Sequence, residues 1–379
     1  MDAVVIEQYI GDLMSKSTAE FPIWNIEKAR AGKKSGWDYI DGCMIMALLE
    51  IYSTSGDKKY LDFCDYYEDY RIRDDGTIDG YDKNTWNCDE LNGGKNLFVL
   101  YRYTNKEKYK KALDLLYEQV KGQPRTPEGN FWHKQIYPNQ VWLDGLYMAQ
   151  PFYMEYEKLF NNSKNIEDIY NQFFNVYKIM RDPKTGLYYH CYDSSKKMFW
   201  ADKETGLSKN FWLRSLGWFS MALLDTLNIA PDRGSENWNK LKDIFIDLCE
   251  SMLKFQDESG MWWQVPNYPG KGKNYLETSG SAIFAYSLLK GYRTKILEDK
   301  KFQEAGIKAF EGICDKYLNT ESGRLSLGGI CLVAGLGPEK DLRRDGTFDY
   351  YMSEPIVQDD AKGVGPFLLA YNEYKQIKK

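Results

Sequence analysis

Several features that define common protein classes are scarce in this sequence. Apolar residues never run uninterrupted over the ~20 positions that a membrane-spanning helix needs, so we expect no membrane segment. Basic residues do not outnumber acidic ones, and the formal net charge of −5 argues against nucleic acid or an anionic membrane as a partner. The seven cysteines include no C-x-x-C pair, which predicts free thiols in a reducing cytoplasm rather than disulfides or a zinc site.

Histidine is also rare, whereas aromatic residues are abundant. Two histidines in 379 residues leave little support for catalysis that depends on several of them. Aromatic side chains make up 16% of the chain, including 30 Tyr and 11 Trp. Their flat, amphipathic rings suit core packing, which we expect for most of them, and they also suit stacking against sugar rings.

One structural theme recurs six times along the chain. A turn with Gly leads into a short aromatic or apolar arm, then into a helix rich in small and aromatic residues, then into a charged amphipathic helix. The first arm is expected at 21–24, and the other five begin at Gly76, Gly129, Gly186, Gly260 and Gly323. The initial segment, 4–15, has acidic residues near its start and no uninterrupted apolar core, so it predicts an amphipathic helix rather than a signal peptide. The first helices of the pairs are expected at 37–52, 89–101, from 140 onward, 212–227, 277–292 and 363–375.

The two helices of each unit differ in a way that predicts an inner and an outer position. The first is apolar almost all round and usually carries glycine, as expected of a helix packed on every side. The second alternates charged and apolar positions, as expected of a helix with one wet face. We therefore predict an all-α fold, a single (α/α)6 barrel domain over 1–379 with short β-hairpin arms at one end. An open helical solenoid is the alternative.

The stretch Gln140–Pro151, QVWLDGLYMAQP, places one acid, Asp144, in an otherwise apolar or small helix opening. A buried carboxylate must be hydrogen-bonded, paired or held for chemistry, because a bare buried charge is very costly. Asp is favoured at helix starts, so Asp144 is either a helix cap or a catalytic group.

All six arms precede an inner helix, so arms and inner-helix starts are expected at one end of the barrel. Acids, one arginine and rings at that end suit a carbohydrate pocket. Taken singly, each of these residues also has a structural explanation, as a cap or a surface pair. The polar residues at the helix starts are Asp41, Asp89, Asp144, Arg214 and Glu277, and both histidines, His133 and His190, fall on arms.

Five stretches between the third unit and the C-terminus match the motifs of one enzyme family, in the same order. They are FWHKQIYPNQVWLDGLYMAQPF, GLYYHCYDSS, FWLRSLGWFSMAL, ETSGSAIFAYSL and GTFDYYMSEPIVQDDAKGVGPF. They resemble glycoside hydrolase family 105, the unsaturated rhamnogalacturonyl hydrolases, which are related to the unsaturated glucuronyl hydrolases of family 88. Members of this family are (α/α)6 barrels, which agrees with the repeat.

The resemblance implies roles for individual residues. The catalytic acid of the WLDGLYM motif matches Asp144, and a second acid matches Asp89. In the loop 335–345, Arg343 and Arg344 either reach the sugar or are solvated. The resemblance implies neither a metal nor another cofactor, and the partner is a small oligosaccharide. The expected substrate-binding residues are Asp41, His133, Lys134, Tyr137, Trp142, Met148, His190, Trp212, Arg214 and Trp218.

The implied activity is release of an unsaturated uronic acid from the non-reducing end of lyase-generated oligosaccharides, foremost galacturonyl–rhamnose from rhamnogalacturonan. A C4=C5 double bond beside the ring oxygen is an enol ether, so protonating C4 gives a C5 cation that the ring oxygen stabilises. Our hypothesis is that Asp144 is protonated at rest, gives its proton to C4 and then takes one from the water that attacks C5. In this hypothesis Asp89 positions the water or keeps Asp144 protonated through carboxyl repulsion, and Arg214 is the candidate partner of the substrate carboxylate.

Other functions remain open from the residues. A two-carboxylate inverting hydrolase could use the same barrel, and an unsaturated glucuronyl hydrolase could act on another polysaccharide. A sugar epimerase of this fold is disfavoured because it depends on several pocket histidines. A non-catalytic sugar-binding module would bind without turnover.

Overall fold

The computed structural model describes residues 3–321 and 324–378, and these fold into helices joined by short strands. The helices are α1 (Ala3–Ser15), α2 (Ile26–Arg30), α3 (Tyr39–Ser55), α4 (Lys58–Asp69), α5 (Leu91–Thr104), α6 (Glu107–Gly122), α7 (Leu143–Phe160), α8 (Ile166–Met180), α9 (Leu213–Ile229), α10 (Glu236–Leu253), α11 (Thr278–Arg293), α12 (Lys300–Tyr317), α13 (Phe348–Ser353) and α14 (Ala361–Lys378). The strands are β1 (Gln140–Trp142), β2 (Cys191–Asp193), β3 (Leu318–Glu321), β4 (Arg324–Leu327), β5 (Ile330–Cys331) and β6 (Ile356–Val357).

Six helices, α3, α5, α7, α9, α11 and α14, form a closed inner ring. Each packs against the next, and α14 returns to α3, which excludes the open solenoid. Their charged partners α4, α6, α8, α10 and α12 lie outside. Helix α1 completes the outer layer, because Glu7 accepts hydrogen bonds from Tyr60 on α4 and from Lys375 on α14. The predicted (α/α)6 barrel is confirmed.

Glycine lets neighbouring inner helices approach closely. A Cβ atom on Gly42 in α3 would lie 2.9 Å from Nδ2 of Asn92 and 3.2 Å from Cα of Gly93 in α5. A side chain at position 42 would crowd α5, so the cost of about 1 kcal/mol for glycine within a helix is offset by close packing.

Short antiparallel segments lead into the inner helices at one end of the barrel. Strands β1 and β2 come from the third and fourth arms and pair with Trp142 opposite Cys191. The hairpin of β3 and β4 opens the sixth unit. Gly323, where the sixth arm was predicted to begin, lies outside the described residues. The β pairing therefore links different units as well as closing single arms.

Two expectations from composition can be compared with the fold. All seven cysteines are buried and none forms a disulfide, so the prediction of free thiols is confirmed. Within 3–321 and 324–378, no helix has both the length and the apolar character to cross a membrane.

Candidate active site

A cavity of about 220 Å³ opens at the end of the barrel where the arms lie. Seven of the predicted site residues line it, and they come from the third arm, the 3₁₀ turn before α5 and the first two turns of α7. The cavity is lined by Glu27, Tyr39, Asp89, His133, Lys134, Tyr137, Trp142, Asp144, Met148, Val333, Ala334 and Arg344.

Asp144 lies in the first turn of α7 but does not cap it. The helix begins at Leu143, its N-cap position is Trp142, and no side chain caps it by a hydrogen bond. Oδ2 of Asp144 lies 3.3 Å from Nε2 of His190 and accepts no regular hydrogen bond from a described residue. The cap interpretation is therefore wrong, and the carboxyl group is left facing the cavity.

His190 is held behind Asp144 by a buried tyrosine. Nδ1 of His190 lies 2.8 Å from the hydroxyl oxygen of Tyr351. Burial, followed by nearby acidic groups, raises the pKa of Tyr351 well above its usual value, so its hydroxyl group stays protonated. When this hydroxyl donates to Nδ1, the proton on Nε2 faces Asp144. The backbone supports the arrangement, because the amide of Leu143 donates to the carbonyl of His190.

Asp89 is an ionised carboxylate. It lies on a 3₁₀ turn, Cys88–Glu90, just before α5. Its Oδ2 is 2.5 Å from Nζ of Lys134, and its Oδ1 is 3.4 Å from Nε2 of His133. Burial acts to raise the pKa of Asp89, but Lys134 and His133 outweigh it, so the pKa lies below its usual value. Because Lys134 compensates the charge, Asp89 is poorly suited to keeping Asp144 protonated by repulsion.

His133, Trp142 and Tyr137 form an aromatic wall. The ring centroids of His133 and Trp142 are 4.8 Å apart, and those of Trp142 and Tyr137 are 5.0 Å apart, both stacked. Burial lowers the pKa of His133 to about 4, so this imidazole is neutral at pH 7. Gly145 makes room for it, because a Cβ atom there would lie 2.7 Å from Nδ1 of His133.

Arg214 does not reach the cavity, contrary to the sequence prediction. Its side chain is 1% exposed, and its guanidinium donates to the carbonyls of Cys331 and Leu332 and to the hydroxyl of Ser279. These bonds fix the main chain of β5 just before Val333, which lines the cavity. Arg214 is therefore a positioning residue in this structure.

Arg344 is the arginine that lines the cavity. Its Nε donates to the carbonyl of Gly335 at 3.2 Å, and the side chains of Tyr350 and Tyr137 are its neighbours. No described carboxylate pairs with it, so no acid of the described chain compensates its charge. Its neighbour Arg343 is exposed and pairs with Glu354 at 3.0 Å, away from the cavity lining.

Asp41 belongs to a buried structural network rather than to the cavity. It accepts from Ser35, from Nε1 of Trp24 at 3.1 Å and from Nδ2 of Asn25 at 3.2 Å, and Arg71 lies 3.8 Å away. The position at an inner-helix start was predicted correctly, but the first arm covers the side chain.

The two tryptophans predicted from α9 also lie behind the cavity. Trp218 stacks on Tyr147 with centroids 4.9 Å apart, inside the ring of helices. Trp212 packs against His190 at 4.8 Å and against Tyr351 at 6.3 Å. Trp212 therefore supports the histidine, and Trp218 closes the barrel interior. Roles of the lining residues in substrate binding stay predictions.

Sequence reasoning missed Tyr351, Glu27 and Tyr39. Tyr351 lies on α13, within the stretch GTFDYYMSEP that carries the resemblance, so that stretch was the available signal. Glu27 lies on α2 and Tyr39 begins α3. Neither residue stands out in the repeat pattern. Each lines the cavity because the segment around the first arm folds over it, which the pattern does not show.

Comparison with known proteins identifies the family of this chain. Glycosyl Hydrolase Family 88 matches residues 8–378. A structure of a family 105 glycoside hydrolase from C. acetobutylicum is 41% identical, covers 98% of this chain and 99% of its own, and superposes with a TM-score of 0.90.

Two curated proteins are also similar. Protein Atu3128 of Agrobacterium fabrum is 40% identical over 60% of this chain and 97% of its own length. Unsaturated rhamnogalacturonyl hydrolase YesR of Bacillus subtilis is 25% identical over 67% of this chain and 70% of its own length. The chain therefore belongs to Glycosyl Hydrolase Family 88 and, like the C. acetobutylicum protein, to the family 105 glycoside hydrolases that its motifs resemble.

Proposed function

We propose that the protein removes an unsaturated uronic acid from the non-reducing end of a small oligosaccharide by hydrating its C4=C5 double bond. The observation that carries the proposal is the different state of the two aspartates in the cavity. Asp144 neither caps its helix nor pairs with a described lysine or arginine, whereas Asp89 is bound to Lys134. One available acid suits a reaction that begins with a single proton transfer to carbon. An inverting hydrolase needs both carboxyl groups as acid and base.

The reaction follows from the chemistry of the enol ether. Asp144 gives its proton to C4, and the cation that forms at C5 is stabilised by the ring oxygen. Water adds to C5 while the Asp144 carboxylate takes up one of its protons. The resulting hemiketal opens to a C5 ketone and leaves a hemiacetal at C1, which expels the second sugar. No nucleophile of the enzyme is required.

The remaining polar residues orient the reactants. His190, fixed by Tyr351, lies 3.3 Å from the Asp144 carboxyl group and suits orienting it. Asp89 is ionised and can only accept hydrogen bonds, so it suits orienting the water or a sugar hydroxyl group. The stacked rings of His133, Trp142 and Tyr137 provide an apolar face for the sugar.

The C6 carboxylate of the unsaturated sugar pairs with Arg344 in this proposal, in place of the predicted Arg214. A guanidinium offers paired donors, which a lysine cannot reproduce. Arg344→Lys should therefore raise KM about 10-fold, since a charge-assisted hydrogen bond contributes about 1.5–3 kcal/mol. The exposed Arg343→Lys is the matched control and should leave KM unchanged. An unchanged KM in Arg344→Lys would contradict this assignment.

The proposed substrate is unsaturated galacturonyl–rhamnose from rhamnogalacturonan, and unsaturated glucuronyl oligosaccharides are the alternative. The similarity to the B. subtilis rhamnogalacturonyl hydrolase supports the first choice. Lyase-generated oligosaccharides from both polymer classes should be incubated with the protein while the ultraviolet absorbance of the double bond is followed. Loss of absorbance with only the glucuronyl substrates would reverse the choice.

Two measurements separate hydration from the other functions. In D₂O the product should carry one deuterium at C4, which ordinary glycosidic hydrolysis would not introduce. Asp144→Asn should lower kcat by about 10²–10⁴-fold while leaving binding largely intact, because the variant lacks the proton donor. Near-full activity of Asp144→Asn would refute the mechanism, and binding without any turnover by the unmodified protein would favour a sugar-binding module.

A further inference from the structure

A second cavity, which we call the distal cavity, adjoins the active-site cavity. Its volume is about 330 Å³. Glu27, Tyr39, Asp89 and Lys134 line both cavities, so the two meet at the Asp89–Lys134 pair. Taken together the two volumes fall within the ~300–1,000 Å³ typical of ligand sites. The cleft therefore continues beyond the proposed position of the unsaturated sugar.

Two lysines line only the distal cavity. Lys28 lies on α2 and is half-buried, and Lys33 follows the same helix and is exposed. Neither ammonium group forms an ion pair within the part of the chain that the structure describes. Lysines without partners in a concave site raise the local concentration of anions.

Two of the four acids that line this cavity are already compensated. Asp89 is bound to Lys134 at 2.5 Å, and Glu27 is bound to Lys362 at 2.6 Å. Lys362 also lies 3.0 Å from Asp360, and burial raises the pKa of that second acid. Neither acid is free to neutralise Lys28 or Lys33.

The other two acids carry reduced charge near neutral pH. Burial, followed by repulsion from Asp41, raises the pKa of Asp38 to about 7. Burial likewise raises the pKa of Glu90 to about 7. Asp38 is also occupied as the N-cap of α3, where it accepts from the amide of Ile40. Among the described residues that line the distal cavity, Lys28 and Lys33 are therefore the cations without an ion-pair partner.

We propose that the distal cavity binds the carboxylate of a second uronic acid, located beyond the leaving sugar, through Lys28 and Lys33. This inference rests on the proposed function, because the leaving sugar must project from the catalytic cavity past Asp89 and Lys134. The preferred substrate is then an unsaturated oligosaccharide of three or more units with an internal uronate, rather than the disaccharide. The neutral leaving sugar lies between the two anionic units.

The test compares an unsaturated disaccharide with an unsaturated tetrasaccharide that contains an internal uronate, both from the same lyase digest. The double variant Lys28→Gln/Lys33→Gln should lower kcat/KM for the tetrasaccharide about 3- to 10-fold, as expected for two exposed charge contacts. It should leave kcat/KM for the disaccharide unchanged. The effect should diminish with added salt.

The matched control is Lys58→Gln/Lys295→Gln, which changes two exposed lysines at the opposite end of the barrel. It should affect neither substrate. If the cleft variant cleaves the tetrasaccharide as well as the unmodified protein does, while the disaccharide is turned over, the inference is refuted and the proposed function stands. If the unmodified protein turns over neither substrate, the proposed function fails, and the inference with it.

Discussion

Replacing Lys134 with methionine tests how the second aspartate is kept ionised. Nζ of Lys134 lies 2.5 Å from Oδ2 of Asp89, and the two side chains are 23% and 14% exposed. Removing one partner of a buried pair costs about 3–5 kcal/mol, because the other charge is left buried. The residual exposure of this pair favours the lower end of that range. We therefore expect Lys134→Met to lower the free energy of unfolding by about 3 kcal/mol at pH 7.

The dependence of this loss on pH follows from the pKa of Asp89. In the unmodified protein, Lys134 outweighs burial and lowers this pKa, so the pair stabilises the fold above the unfolded value. That contribution disappears as the pH falls through the lowered pKa. In Lys134→Met, the lysine no longer opposes the effect of burial on Asp89. The pKa of Asp89 therefore rises, and the carboxylate binds a proton at a higher pH. The difference between the two proteins should be largest near pH 7 and shrink toward pH 4.

Urea unfolding followed by circular dichroism at pH 7, 5.5 and 4 measures this difference. Lys121→Met is the matched control, since Lys121 pairs with Glu118 at 2.6 Å on the surface, where both are about half exposed. Such a surface pair contributes about 0–1 kcal/mol. The double variant Asp89→Asn/Lys134→Met should recover part of the lost stability, because no unpaired charge remains buried. A loss in Lys134→Met no larger than in the control would refute the reasoning.

Two further predictions concern the support of the acid and the packing of the ring. Tyr351→Phe removes the hydroxyl group 2.8 Å from Nδ1 of His190. The value of kcat should therefore fall about 10-fold with little change in KM, and the pH–rate profile should shift. An unchanged kcat and pH–rate profile would contradict the positioning role of Tyr351. Gly42→Ala should cost about 1–3 kcal/mol in urea unfolding, because its Cβ atom would lie 2.9 Å from Asn92. Gly11→Ala on α1 is its control, with no atom within 4 Å of the added group, and should be neutral or stabilising.

The barrel was predictable because its signals are local. The run of apolar residues and glycines in each inner helix predicts that it is buried. The single charged face of each outer helix predicts that it is exposed on one side. The order of arm and helix also placed Asp144, Asp89, His133 and Lys134 at the same end. Helix ends were less accurate, as at Asp89, where a 3₁₀ turn precedes the helix that was expected to begin there.

The parts of the site that were missed depend on contacts between distant segments. Arg214 lies at the start of α9 as expected, but β5 folds across it and occupies its donors. Arg344, which takes its place in the cavity, comes from a loop that has no periodicity. Tyr351 lies on the short helix α13, outside the repeat. Each of these contacts joins residues that are far apart in the sequence, so no local sequence pattern predicts it.

The pairing of β1 with β2 has a consequence for how substrate range can diverge in such a barrel. Asp144 follows β1 and His190 precedes β2, and the register of Trp142 opposite Cys191 fixes their separation. A slip of one residue in either strand would turn the side chains to the other face. An insertion within either strand would therefore separate Asp144 from His190 unless the other strand changed with it. The segment around α2 and the loop 335–345 also border the cleft, through Glu27 and Arg344, and lie outside this pairing, so changes there would reshape the cleft without moving Asp144 from His190.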